Sequence, residues 1–201
     1  MTTSRAWPVR TATRERNREA LLAAAGELLA EHGYAGCSLG GIARRAQLST
    51  GAVYSNFGSK AELFLELLQG TSRLPDLEAD QAHAPSMAGV LEAFGRRWAA
   101  VVNEPSARAN LELSYELQLA ALREPAVLAR VAQAQHDDAA SLATQLGAAA
   151  GRRAEALPLP SLELAQTLIA GLQGLTEQAL LLGTPVDPDR FAAVARRLLA
   201  A

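Results

Sequence analysis

Apolar positions along the chain recur at helical spacing, and no stretch alternates with the period of two that a half-buried strand requires. Residues 14–32 put Leu21, Leu22, Ala25, Leu28 and Leu29 on one face, and His32-Gly33 ends the run. Residues 59–70 open with Ser59 three before Glu62, the spacing of a capping box. Residues 87–103 carry a stripe of Val90, Leu91, Phe94, Trp98, Val101 and Val102. Further helices are predicted over 106–122, over 125–147 starting just inside Pro125, and over 161–182. Asp187-Pro188 opens a last helix, 188–199, with Phe191, Val194, Ala195 and Leu198 on one side. None of the nine prolines falls within a strongly periodic segment. A proline inside a helix costs about 3 kcal/mol, so the prolines read as boundaries. The stretches 71–86 and 148–160 are the predicted linkers.

Composition supports the helical reading. The chain has 43 Ala and 33 Leu against 9 Val and 2 Ile, and β-branched residues are the ones that favour sheets. Its 201 residues are 49% apolar and 20% charged, as in an ordinary globular chain of one or two domains. A single cysteine, Cys37, excludes an intrachain disulfide and a multi-cysteine zinc site. No run approaches the ~18 apolar residues of a membrane span. Met1–Arg18 holds five arginines and no apolar stretch, so a secretory signal is not expected and a cytoplasmic location is.

Charge divides the chain. Residues 1–60 hold eight cations and four acids, while residues 61–201 hold eleven cations and seventeen acids. A basic head on an acidic body suggests a module that binds a polyanion, attached to a part with another task.

The densest pattern lies in residues 36–60. Ser38 is placed to cap a short helix through about Ala46, and Ser49 a second through about Ser55. Only Gln47 to Ser49 separate them, which makes a helix-turn-helix with Ile42, Ala43, Ala46, Leu48 and Val53 in the seam. The second helix offers Thr50, Gly51, Ala52, Tyr54 and Ser55, uncharged and of little bulk. Such a rod fits the ~12 Å major groove and brings hydroxyls and methyls to base edges. Arg44, Arg45 and Lys60 surround it where phosphates would lie.

The run IARRAQLSTGAVYSNFGSKAELF resembles the DNA-binding signature of the TetR family of bacterial transcriptional regulators. The likeness rests on Ile42-Ala43, Ala46, Leu48-Ser49, Gly51, Tyr54, Phe57, Ser59-Lys60 and Leu63-Phe64, and covers about residues 12–70. Gln47 stands where the family often has glycine, and Gly40-Gly41 where larger residues are usual. The resemblance implies an all-α fold: a flexible N-terminal arm over 1–12, a three-helix DNA-binding domain over 13–58, and a bundle of about six helices over 59–201 for ligand binding and dimerisation. It implies a homodimeric repressor on a palindromic double-stranded DNA operator, released by a small molecule.

By position, Thr50, Ala52 and Val53 are candidates for base contact, with Val53 also a core candidate. Ser38, Arg44, Ser49, Tyr54 and Lys60 are candidates for phosphate, with Arg45 and Gly51 beside them. Arg14, Arg16 and Arg18 have the DNA backbone or a minor groove in reach, while Arg5 and Arg10 fall in the tail. In the body, Phe94, Trp98, Leu113, Tyr115, Leu117 and His136 are candidate pocket liners, although Phe94 and Trp98 also fit a core stripe. Helix 161–182 is apolar around much of its circumference, with Gly171 and Gly174 able to admit a partner helix closely. Leu168, Gly171, Leu172 and Leu175, with Phe191 and Leu198 of the last helix, are the candidate dimer interface.

Two rival classes fit the sequence less well. An enzyme lacks support: His32, His83 and His136 belong to no Cys-His or Ser-His-Asp arrangement, and no cofactor or metal is expected. His136-Asp137-Asp138 point about 100° apart on a helix, and the positions four away are Ala132 and Ala140. A helical protein-binding module fits the uncharged helix flanked by arginines less well. Cys37, just before the helix capped by Ser38, is either an activated thiol or a small buried filler.

Overall fold

A computed structural model describes the backbone of residues 7–71, 74–77 and 84–199, and side chains within 12–67, 74–77 and 84–199. Arg5, His83 and the side chain of Arg10 lie outside the described residues. Among these residues all regular structure is helical: α1 (Trp7–Gly36), α2 (Leu39–Arg45), α3 (Thr50–Phe57), α4 (Lys60–Thr71), α5 (Met87–Val102), α6 (Ala107–Ala121), α7 (Pro125–Arg153), α8 (Ser161–Leu181) and α9 (Pro188–Arg197).

The chain divides into two compact units. The first contains α1 to α4 together with Ala109–Val131, which carries most of α6 and the start of α7. The second contains the stretch up to Arg108 that includes α5, and everything from Ala132 onward. In the first unit Leu21, Ile42, Leu63 and Phe64 are fully buried, and Tyr34 meets Phe64 edge to face at 5.1 Å. The core of the second is built from Leu91, Phe94, Leu142, Leu146, Leu164, Leu168, Leu172 and Phe191.

Proline and serine act at the helix starts as their chemistry predicts. Pro125 and Pro188 are the first residues of α7 and α9, where a missing N–H costs nothing. Ser59 accepts from the Glu62 amide at 3.1 Å, as the capping-box spacing predicts. Ser86 caps α5 by accepting from Gly89 at 3.2 Å, and Asp187 caps α9 by accepting from Asp189 at 2.9 Å.

Several boundaries differ from the sequence reading. α1 begins at Trp7, upstream of Arg14, and continues to Gly36 across a break at Gly33 (φ 66, ψ 173). α7 runs to Arg153, into the predicted linker that begins at 148. Ala148, Ala149 and Ala150 are strong helix formers, and Ala149 and Ala150 are buried, so nothing stops the helix until Ala154 turns left-handed at φ 53. α9 ends two residues early, at Arg197.

Candidate nucleic-acid interface

The two predicted caps form. Ser38 Oγ accepts from the Gly41 amide at 3.0 Å, and Ser49 Oγ accepts from the Ala52 amide at 3.2 Å. Each occupies an amide that the first turn of a helix leaves without a partner. Between the helices Gln47 sits at φ 57, the left-handed region that glycine enters without strain. This gives a physical reason for the glycine usual at that position in the family it resembles.

α3 is held by two apolar side chains, Val53 and Phe57. Thr50, Gly51 and Ser55 are exposed, Ala52 is half-buried, and Tyr54 is 57% exposed. The helix therefore presents an uncharged outer side of small groups plus one phenol. Val53 is 1% exposed, as buried as Ile42 and Ala43 of α2, which removes it from the surface that would meet a base.

The cations sit in different environments. Arg44 is exposed and makes no ion pair among the described residues. Arg45 is clamped by α1: it bonds Glu31 at 2.8 and 3.0 Å and Glu27 at 3.0 Å. The Arg45 hydrogen bond holds the Glu31 carboxyl below its ordinary pKa. Lys60 is half-buried, donates from Nζ to the Tyr34 carbonyl at 2.6 Å, and stands 4.1 Å over the Tyr34 ring. Burial pushes the Lys60 ammonium below its usual pKa.

Sequence reasoning missed the intramolecular partners of these charges. Glu27 and Glu31, four apart on α1, are the detectable signal for a bridge to Arg45. Arg14 donates to the Ser55 carbonyl at 3.1 Å, and Arg18 to the Asn56 carbonyl at 3.2 Å and to the Glu66 carboxylate. Arg16 reaches Thr13 at 3.4 Å. The Tyr34 amide, released by the break at Gly33, donates to Glu116 of α6. Cys37 is buried, and burial raises its thiol pKa, so the position holds a neutral thiol rather than an activated one.

The body candidates separate. Phe94 and Trp98 lie in the second unit, edge to face at 6.0 Å, with the Trp98 indole donating to Thr176 at 3.1 Å. Leu113 and Leu117 are buried and Tyr115 is half-buried in the first unit. His136 is exposed on α7. Leu168, Leu172 and Phe191 are fully or almost fully buried in the chain's own core, so they are withdrawn from the candidate interface. Gly171, Leu175 and Leu198 are half-buried. On the outer side of α8, Gly174 faces open space and Leu181 is 80% exposed. Among the described residues no group of three metal donors converges, and no helix is long and apolar enough to cross a membrane.

The family model for bacterial regulatory proteins of the tetR family matches residues 21–67, from within α1 into α4. A member of the TetR family from Streptomyces coelicolor A3 superposes with a TM-score of 0.62 at 28% identity, over 91% of this chain and 98% of its own. Residues 21–67 thus match the DNA-binding region of the tetR family, and the fold is the one found in TetR-family structures. None of the curated proteins matches the chain. The chain also resembles the multidrug binding protein EbrR. The complex with proflavin matches at 26% identity, 90% and 99% coverage and a TM-score of 0.57. The complex with ethidium matches at 27% identity, 90% and 97% coverage and a TM-score of 0.58. The TetR signature read from residues 42–64 thus coincides with α2, α3 and the first turns of α4.

Proposed function

We propose that the protein is a homodimeric repressor that reads a palindromic operator with α3 and leaves it when a small molecule binds the body. The observation that carries this reading is the exposed, uncharged side of α3, whose other side is anchored by Val53 and Phe57, together with Arg44 of α2, exposed and without an ion pair among the described residues. Groove readout needs such a surface: hydroxyls and methyls at the base edges, and cations at the strands on either side. Thr50 and Ala52 take the base contacts. Arg44 and Tyr54 take phosphates, with the capped turns at Ser38 and Ser49 close by. Arg45 is a strut between α2 and α1. Lys60 ties α4 to Tyr34 and reaches phosphate only by giving up that bond. The reading assigns the chain no catalysis.

Two copies present two reading helices to half-sites about one helical turn apart. The outer side of α8 around Gly174 is where a partner helix approaches in this reading. For the ligand, the EbrR complexes suggest planar aromatic cations, which suit the acidic composition of residues 61–201.

Titration of duplex DNA over a salt series tests the division of roles. Arg44→Ala weakens binding to every sequence and lowers the slope of log K against log salt by about one. Thr50→Ala changes preference at the base pairs it reads by about 1–3 kcal/mol and leaves that slope unchanged. A Thr50→Ala variant that alters only the slope would reverse the assignment. Proflavin and ethidium raise the melting temperature and release DNA if the ligand class is right.

A further inference from the structure

Arg18 carries three attachments from one guanidinium. It donates to the Asn56 carbonyl at 3.2 Å, pairs with Glu66 of α4, and lies 5.0 Å from the centroid of the Phe57 ring. One turn earlier on α1, Arg14 donates to the Ser55 carbonyl at 3.1 Å. Ser55 and Asn56 belong to the last turn of α3, where carbonyls have no helical partner and the helix dipole favours a cation. α1, α3 and α4 therefore meet at a single charged side chain.

We propose that Arg18, supported by Arg14, is a positioning residue that fixes the angle of the reading helix and does not itself touch DNA. The inference rests on the DNA-binding reading above for its consequence, but not for its geometry. α3 has eight residues and only Val53 and Phe57 buried, so the Arg18 and Arg14 bonds at its C-terminal end are a large share of what fixes its direction. An eight-residue helix is about 12 Å long. Release at the Asn56 end therefore displaces Thr50 at the other. A shift of that size breaks the alignment that base-edge hydrogen bonds demand, while salt-dependent attraction to the strands tolerates it. The Glu66 carboxylate also offsets the Arg18 charge, which leaves it a poor grip for phosphate.

The test uses the full chain and two readouts. Amide hydrogen exchange of the free protein needs no DNA: in Arg18→Met the segment 50–58 exchanges about tenfold faster while α8 is unchanged, and Arg18→Lys recovers part of the protection. Duplex titration compares an operator selected by the wild type from random sequences with poly(dI-dC). Arg18→Met then loses operator affinity about tenfold, keeps its affinity for poly(dI-dC), and keeps the salt slope. Unchanged exchange over 50–58 overturns the proposal. So does a slope that falls by about one with equal loss on both duplexes, which would make Arg18 a phosphate contact. A wild type that selects no operator overturns the DNA reading alone and leaves exchange to decide on the clamp. If Arg18→Met does not fold, Arg18→Lys and Glu66→Gln carry the same readouts with intermediate changes expected.

Discussion

Gln47 shows what one backbone angle costs. At φ 57 a side chain with a Cβ is strained by roughly 1–2 kcal/mol, of which part returns because glycine is freer in the unfolded chain. Gln47→Gly therefore stabilises the chain by about 0.5–1 kcal/mol in urea unfolding, and a loss of stability would show that Gln47 makes a contact that outweighs the strain. Glu31 supplies a second prediction. Its pKa is lowered in the folded protein by Arg45, so the unfolded chain binds its proton first as pH falls. The stabilisation is whole above the ordinary glutamate value of 4.5 and disappears as pH drops through the lower folded value. The difference in melting temperature between wild type and Glu31→Gln should be present at pH 7 and shrink as the pH falls below 4.5. Being an exposed pair, it contributes modestly. At this scale the sequence announced which residues are charged but not which charge each one meets. The pair Glu27 and Glu31 signals a bridge, but that Arg45 is the cation it holds, and that Arg18 is held at all, emerges only once α1 is folded beside α2 and α3.

Among elements, α5 and α9 approach each other closely at Gly95. A Cβ placed on Gly95 would stand 2.6 Å from the Phe191 carbonyl oxygen and 2.9 Å from the Ala192 Cα. Backbone atoms cannot step aside as a side-chain tip can, so Gly95→Ala forces the two helices apart. Overpacking of this kind costs about 1–3 kcal/mol, and in a chain of this length each kcal/mol lowers the melting temperature by about 2–4 °C. An unchanged melting temperature would show that the crossing is looser than described. The order and type of the helices were legible because Ala and Leu recur at helical spacing and prolines sit at the starts. The end of α7 was not, because Ala148–Ala150 hold no stop signal. The apolar circumference of α8 suggests a partner-facing helix, but such a pattern says only that much of the helix is covered. Leu168 and Leu172 are covered by the chain itself.

At the scale of the molecule, that difference changes how dimerisation is tested. Leu168→Glu would place a charge in a closed core and unfold the second unit, whatever its oligomeric state. Gly174 faces open space, and glutamate is the better helix former there, so Gly174→Glu leaves the protomer intact. Sedimentation should find it monomeric, and a persistent dimer would put the interface away from α8. The helix-turn-helix was legible because it is local, twenty-odd residues whose spacing fixes caps, turn and outer face together. The stabilising contacts of the head were not, since Arg18 to Glu66 and Tyr34 to Glu116 span 48 and 82 positions.

The hydrogen bond from Trp98 to Thr176, whose hydroxyl in turn donates to Leu172 at 2.8 Å, has a practical consequence. Only two tryptophans exist in the chain, Trp7 and Trp98. With Trp7→Phe, the ultraviolet emission of the remaining indole becomes a private gauge of the second unit's interior. Its colour shifts to longer wavelength when water enters between α5 and α8, and Thr176→Val calibrates how much of that colour the single hydroxyl sets.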